Sequence, residues 1–228
     1  MSKNFKAVII NNQNDKFTRE VKELSVDALK DGNVLVKIDY SSLNYKDALI
    51  LNNGGKIVRN YPFVPGIDFS GSVEESGDSK FKKNDKVILT GFRVGEMYYG
   101  GFSQYAKVNS DFLVNVPKDL NTLKAMKMGT AGLTALLCAF AVKAKEELLM
   151  GPKVKDVLVT GATGGVGSFA VMALSKMGYD VHAVTGKKEK HEYLKKLGAK
   201  NILDRNHFLG ESKLLEKGLW DCVVDTVG

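Results

Sequence analysis

The chain has 228 residues, 44% of them hydrophobic and 26% charged, a soluble globular composition with room for one large or two modest domains. Its net charge of +7 does not read as a nucleic-acid surface, because the lysines are scattered and interleaved with Asp and Glu, without arginine clusters or alternating aromatics. The two cysteines, Cys138 and Cys222, leave no disulfide framework or cysteine zinc site, and in apolar runs they read as buried thiols of a reducing, cytoplasmic compartment.

Met1 to Lys6 carries no apolar signal core and leads directly into a strand-like segment. From Phe5 to about Pro117 short strands alternate with turns. Ala7 to Ile10, Val34 to Ile38, Ser70 to Glu74, Lys86 to Leu89 and Phe102 to Val108 are β-branched or alternate apolar with polar residues. Gly77-Asp78 and Lys83-Asn84-Asp85 are the clearest turns, and the whole predicts an all-β, barrel-like domain with few helices. Leu123 to Met128 and Leu133 to Ala144 are rich in helix formers, with Gly129-Thr130-Ala131-Gly132 between them. Ala131 to Val142 is the longest mostly apolar stretch and falls short of the roughly 20 residues that span a bilayer. The domain boundary is expected near Asn121 to Lys124, giving domains over 1–123 and 124–228. Gly151-Pro152 reads as a turn into the next strand.

Asp156 to Lys187 reads as a nucleotide-binding β-α-β unit. Val157 to Val159 is a β-branched run that breaks into Gly161-Ala162-Thr163-Gly164-Gly165-Val166-Gly167. Phe169, Ala170, Ala173, Leu174 and Met177 then fill one helix face, Gly178 closes the helix, and Val181 to Val184 forms a second strand. Ala162, Gly164 and Gly167 fit the A-x-G-x-x-G form of the dinucleotide fingerprint. Residues without a Cβ let the chain turn tightly, so that a diphosphate can reach the first helical N–H groups at the positive end of the helix dipole. The competing reading is a plain glycine-rich turn.

The residues after the second strand bear on the cofactor. NAD-selective folds place Asp or Glu there to hold the ribose 2′-hydroxyl; this chain has Thr185-Gly186-Lys187-Lys188. A carboxylate would repel a 2′-phosphate, whereas a hydroxyl, a free N–H and an ammonium attract it, so NADPH is expected over NADH. Lys187, Lys188 and Lys190 could also be no more than the solvated start of the next helix.

Glu189 to Leu197 reads as a helix ended by Gly198, Asn201 to Leu203 as a third strand, Ser212 to Lys217 as a short helix and Leu219 to Val224 as a fourth strand. A complete doubly wound sheet has about six strands, so the chain is expected to be a fragment lacking about two β-α units of roughly thirty residues each. No pair of the three histidines, His182, His191 and His207, has metal spacing.

A small β domain, a linker helix and then A-x-G-x-x-G resemble the medium-chain dehydrogenase/reductase superfamily over the whole chain. The stretches Ser41-Ser42-Leu43-Asn44-Tyr45-Lys46-Asp47-Ala48, Pro65-Gly66-Ile67-Asp68-Phe69-Ser70-Gly71, Gly129-Thr130-Ala131-Gly132-Leu133-Thr134-Ala135 and Thr160 to Gly167 look like its zinc-free quinone oxidoreductase branch, and most like the acrylyl-CoA reductase subfamily. The resemblance implies a GroES-like β-barrel domain followed by a doubly wound Rossmann domain ending after its fourth strand, and a homodimer when full-length. Where zinc alcohol dehydrogenases carry the catalytic-zinc Cys, His and Cys, this chain has Asn44, Ile67 and Thr130. Without a Lewis acid an alkoxide goes unstabilised, so the expected chemistry is reduction of an activated alkene or quinone rather than oxidation of a simple alcohol.

By resemblance, Gly164, Gly165, Val166 and Gly167 face the cofactor diphosphate, and Thr185, Gly186 and Lys187 the 2′-phosphate, with Asn201 as a further contact. Tyr45 and Thr134 line the nicotinamide half. Asn44 and Tyr45 are the expected catalytic groups, Asn44 as an amide donor and Tyr45 as a phenol donor or proton source, unless Tyr45 only positions the cofactor. Asp68 is a further candidate, or ties down a turn. Lys46 could meet a phosphate or be merely solvated, and Tyr98, Tyr99 and Phe102 border a substrate cleft or simply pack. The expected substrates are an unsaturated acyl-CoA or a quinone, with no nucleic-acid or membrane partner; a cofactor-binding sensor without turnover is the alternative from another class.

Overall fold

The computed structural model describes residues 3–13, 16–29, 32–53, 56–148, 153–208 and 218–228. They divide into two compact units, Met1–Thr130 and Ala131–Gly228.

In the first unit, alternation of apolar and polar residues gives β1 (Asn4–Gln13) an inward face of Phe5, Ala7 and Ile9. Its antiparallel partner β2 (Lys16–Ser25) is largely exposed. Five further strands form an antiparallel sheet: β3 (Val34–Tyr40), β4 (Asp68–Ser76), β5 (Lys86–Thr90), β6 (Tyr105–Val108) and β7 (Val114–Asn115), in the spatial order β6-β3-β4-β5-β7. The first ribbon joins this layer through Val8 N–H to the Phe102 carbonyl, 2.8 Å, and through paired bonds between Ile10 and Phe63, each 2.9 Å. Val34, Val36, Phe69, Val73, Val87 and Leu89 fill the barrel-like core, and each fully buried side chain of this size contributes about 1.5–3 kcal/mol. One short helix, α1 (Tyr45–Leu51), interrupts the strands.

In the second unit, β8 (Asp156–Val159), β9 (Asp180–Val184), β10 (Asn201–Leu203) and β11 (Cys222–Val224) make a four-stranded parallel sheet in the order β10-β9-β8-β11. This is the third-second-first-fourth order of a doubly wound sheet, reversing beside β8, and ligands of such sheets bind beyond the carboxyl ends of the strands at that point. Val157, Val159, Val181 and Ala183 are buried from both faces, with α3 (Gly165–Lys176) supplying Ala170, Val171 and Leu174 and α4 (His191–Leu197) supplying Leu194. The expected turn at Gly151-Pro152 and helix at Ser212 to Lys217 lie outside the described residues.

The two helices expected around Gly129 follow one another within Thr122–Leu148 (α2) and are separated by a kink at Gly129, which leaves the helical conformation. The units therefore divide inside α2, because its first turns belong to the β unit: the Ser70 hydroxyl donates to the Thr122 carbonyl, 2.8 Å, and the Thr122 hydroxyl to Asp39, 3.0 Å. Although Ala131 to Val142 alone is too short for a bilayer, the 24 residues Thr122–Lys145 are long and apolar enough by length and composition. Gly129 breaks the helical ladder within them, and Ala135, Ala139 and Val142 are buried in the sheet unit's core, while Leu133, Leu137 and Phe140 remain exposed. Cys138 and Cys222, expected to be buried, are half-buried free thiols.

Gly129 adopts φ 48° and ψ −153°, a conformation that residues with a Cβ rarely enter. A Cβ there would also sit 3.0 Å from the Ser42 hydroxyl and 3.2 Å from the Asp68 carboxylate. Gly129→Ala should therefore destabilise the protein by about 1–3 kcal/mol, seen as a lower denaturant midpoint, and an unchanged midpoint would refute the strained kink.

Candidate functional site

The expected site residues fall into two constellations, one in each unit. In the β unit, α1 begins at Asn44, whose backbone N–H donates to the Asp47 carboxylate three residues on, 2.8 Å. The same carboxylate accepts the Ile67 N–H, 3.0 Å, so Asp47 ties the start of α1 to the segment entering β4. Asp47 is fully buried, and burial pushes its carboxyl above the ordinary range; the two N–H groups oppose this, while the Asp68 charge adds to it.

Asp68, the first residue of β4, is also fully buried. Its carboxylate accepts five hydrogen bonds: from the Ser42 N–H (2.9 Å) and hydroxyl (2.6 Å), the Asn44 amide (3.0 Å), and the Thr130 N–H (3.1 Å) and hydroxyl (2.7 Å). The Ser41 hydroxyl caps the Asp68 carbonyl, 2.8 Å. A buried carboxylate without a cation is costly unless donors surround it, and here they do. Asp68 thus ties down the 41–44 segment.

Asn44 and Tyr45 leave this cluster in different states. The second amide hydrogen of Asn44 goes to the Ser42 hydroxyl, 3.1 Å, and its carbonyl oxygen faces the Asp47 backbone N–H in the capping box that opens α1, so the whole side chain is committed to the fold. Tyr45, in the first turn of α1, is 81% exposed, and its hydroxyl has no partner among the described residues. Lys46 pairs with Glu96 at 2.8 Å. Asn44, Ile67 and Thr130, which the resemblance sets at the catalytic-zinc positions, offer an amide, a hydrocarbon and a hydroxyl, a set that does not fit zinc. Among the described residues no group of three or more His, Cys, Asp or Glu is placed to hold a metal.

In the second unit the chain turns from β8 into α3 through Gly161 to Gly164. The Gly164 N–H donates back to the Gly161 carbonyl, 2.8 Å, and α3 starts at Gly165. A Cβ on Gly167 would lie 2.3 Å from the Gly161 carbonyl, so only glycine lets the helix approach the turn this closely. The N–H groups of Gly165, Val166 and Gly167 head the helix without intrahelical acceptors, an arrangement that fits a diphosphate. Ala131 of α2 touches this turn, 3.2 Å from a Cβ built on Gly165, and Thr134, exposed, lies about one helical turn further along.

Beyond the ends of β8, β9 and β11 lies a cavity of about 630 Å³ lined by Thr163, Thr185, Gly186, Lys187, Arg205 and Phe208, with Thr160 and Asp225 on its far side. The Thr185 hydroxyl is buried and accepts the Lys187 N–H, 3.1 Å, which fixes the turn that presents Gly186 and Lys187. Arg205, which sequence reasoning missed, packs over Gly186: a Cβ on that glycine would sit 2.8 Å from the Arg205 Nε. Neither Lys187 nor Arg205 has a side-chain partner among the described residues, so two cations face a cavity that leaves room for an anion. Asp225 accepts the Thr160 hydroxyl, which holds its carboxyl below the ordinary range. It stands at the end of β11, two strands from β9, away from the Lys187 turn.

Asn201, expected at the 2′-phosphate, does not line this cavity. It opens β10 opposite His182, and its amide lies 3.3 Å from the His182 ring, which is held at 2.7 Å by Asp156. A side chain at the start of a parallel strand is turned away from the carboxyl end, where the cavity lies. The signal that could have found Arg205 is the parallel pairing of β9 with β10, which brings the residues following both strands to one edge.

Two family models match the chain, one described as the alcohol dehydrogenase GroES-like domain over residues 30–118 and the other as zinc-binding dehydrogenase over residues 165–228. The acrylyl-CoA reductase AcuI of Ruegeria pomeroyi is 48% identical over 227 residues, covering 98% of this chain and 68% of its own length. The yhdH oxidoreductase from Salmonella enterica, solved in complex with NADP, superposes with a TM-score of 0.90 at 47% identity, covering 98% of this chain and 68% of its own. The Bacillus subtilis protein yhfP, solved with NAD bound, gives a TM-score of 0.90 at 43% identity, covering 100% of this chain and 68% of its own.

Removing the Asp68 acceptor breaks five hydrogen bonds, so Asp68→Ala should cost about 2–4 kcal/mol in urea unfolding; a loss under 1 kcal/mol would contradict its organising role. For Asp47 the folded pKa is raised, so its contribution to stability is full below the ordinary value of 3.8 and declines as pH rises through the raised one. Asp47→Asn should flatten the stability curve over that acidic window, and a curve unchanged in shape would overturn the assignment.

Proposed function

The chain belongs to the medium-chain dehydrogenase/reductase superfamily, in its zinc-free quinone oxidoreductase branch, and from that premise we propose that it is an NADPH-dependent reductase of activated alkenes, with an α,β-unsaturated acyl-CoA such as acrylyl-CoA as substrate. The observation that carries the cofactor choice is the edge of β9, where Lys187 and Arg205 face an open cavity and, among the described residues, the only side-chain carboxylate lining it, Asp225, stands two strands away. A 2′-phosphate gains two cations and the Gly186 N–H there, whereas a bare ribose hydroxyl finds no carboxylate on that turn. Relatives of similar identity are described with NADP and with NAD, so the choice rests on these residues.

In this reading Gly164 to Gly167 hold the diphosphate, and Thr185 fixes the turn that presents Lys187. Bound NADPH supplies a hydride for the electrophilic β-carbon of the alkene. Tyr45, exposed and without a hydroxyl partner among the described residues, is the group on α1 that can donate to the enolate oxygen or deliver a proton to the α-carbon. Asn44, with its NH₂ group committed to Asp68 and Ser42 and its side chain in the capping box of α1, acts by fixing the helix turn that presents Tyr45. An alkene conjugated to a thioester is already activated and needs no metal, in keeping with the donor set at Asn44, Ile67 and Thr130.

Two assays test the reading. Lys187→Ala and Arg205→Ala should each lower kcat/KM for NADPH about tenfold while moving the value for NADH less than twofold; equal losses for both cofactors would refute the 2′-phosphate assignment. The wild-type protein should oxidise NADPH faster with acrylyl-CoA than with a simple quinone. The reverse order favours a quinone reductase, and tight NADPH binding without turnover favours a sensor.

A further inference from the structure

A second cationic concavity lies in the β unit, away from the dinucleotide turn. It has a volume of about 270 Å³ and is lined by Arg59, Arg93, Glu96, Phe63 and Met97. Arg59 and Arg93 carry no ion pair or side-chain hydrogen bond with any described residue. Glu96, the acid that lines the same concavity, is already paired with Lys46 at 2.8 Å. Two guanidinium groups therefore share one hollow with their nearest counter-charge spent on a third cation, an arrangement that an anionic ligand completes.

The backbone holds one of these arginines in a conformation that is not free. Phe92 and Arg93 both have positive φ, 52° and 61°, and neither is a glycine. The segment is kept there by a knot of backbone bonds: the Arg93 carbonyl accepts the N–H groups of Glu96 (3.1 Å), Met97 (2.9 Å) and Tyr98 (3.3 Å), and the Val94 N–H donates to Gly91 (3.1 Å). Strained backbone clusters at ligand clamps and active sites, and here it falls at a charged residue that lines a concavity.

The concavity is one ion pair from the catalytic end of α1, since Glu96 on its wall holds Lys46, the residue after Tyr45. We propose that Arg59 and Arg93 bind the phosphate groups of the 3′-phosphoadenosine diphosphate end of a coenzyme A thioester, making them specificity residues for an acyl-CoA over a quinone. This rests on the acyl-CoA reading above. The guanidinium fork suits phosphate oxygens two at a time, and the apolar faces of Phe63 and Met97 suit the sugar or base that carries them. An uncharged quinone has nothing to offer this hollow.

The test compares wild type with the double variant Arg59→Gln/Arg93→Gln at saturating NADPH, using acrylyl-CoA and acrylyl-pantetheine, the same thioester without the nucleotide. Both arginines are exposed, so the variant should fold normally. The expected result is a KM for acrylyl-CoA raised at least tenfold in the variant, with kcat unchanged and the acrylyl-pantetheine KM moved less than twofold. A variant KM for acrylyl-CoA equal to that of wild type overturns the proposal while leaving the acyl-CoA reading intact. Should wild type reduce neither thioester, that reading fails, and calorimetric titration with coenzyme A decides the pocket on its own, with 2′,5′-ADP present to fill the dinucleotide site. Binding lost in the double variant upholds the phosphate site, and binding absent from wild type or retained in the variant overturns it.

Discussion

The β unit depends on how one buried negative charge is satisfied. Among the described residues no cation pairs with the Asp68 carboxylate; it is held by donors of Ser42, Asn44 and Thr130, drawn from two segments far apart in sequence. Those bonds fix where α1 begins, where the first part of α2 ends, and how β4 enters the sheet. Gly129 belongs to the same constraint, because a side chain at the kink would crowd the carboxylate and the Ser42 hydroxyl. Asp47 adds a second clamp through the Asn44 and Ile67 N–H groups, so every position that the resemblance aligns with a zinc ligand is held by a carboxylate acting as hydrogen-bond acceptor.

The sheet unit treats charge in the opposite way. Where Asp68 is saturated with donors, the turn between β8 and α3 presents helix N–H groups without intrahelical acceptors, and at the edge beyond β9 Lys187 and Arg205 have no counter-charge among the described residues. A carboxylate surrounded by donors is a structural solution, and donors without an acceptor are a binding solution. Both follow from the same accounting, in which a buried or focused polar group must find its partner in the fold or in a ligand.

Much of this was legible in the sequence where local chemistry and period agree. The β8-turn-α3-β9 unit could be read because its glycines, helical face and strand runs all point to one structure, and β10 falls on the expected Asn201 to Leu203. The family and the two-part architecture were legible for the same reason. β2 was not, because Lys16–Ser25 is mostly charged and exposed and takes its strand form from pairing with β1. The first turn of α1 was read as a motif rather than a helix, since its capping by Asp47 depends on a bond that spacing alone does not prove. Arg205 shows the limit most clearly: which residues border the cavity beyond the strand ends is set by tertiary pairing, so Arg205 lies over Gly186 and lines it while Asn201 faces His182.

The central proposal is that hydrogen-bonded carboxylates hold the residues at the positions where zinc relatives carry metal ligands, and that the protein reduces acceptors already activated by conjugation without a metal. The most direct measurement is turnover of acrylyl-CoA with NADPH by protein stripped with a strong chelator, its zinc content followed by elemental analysis. The account predicts unchanged kcat at zinc levels far below one per chain. Activity that falls with the metal and returns on adding zinc would contradict it.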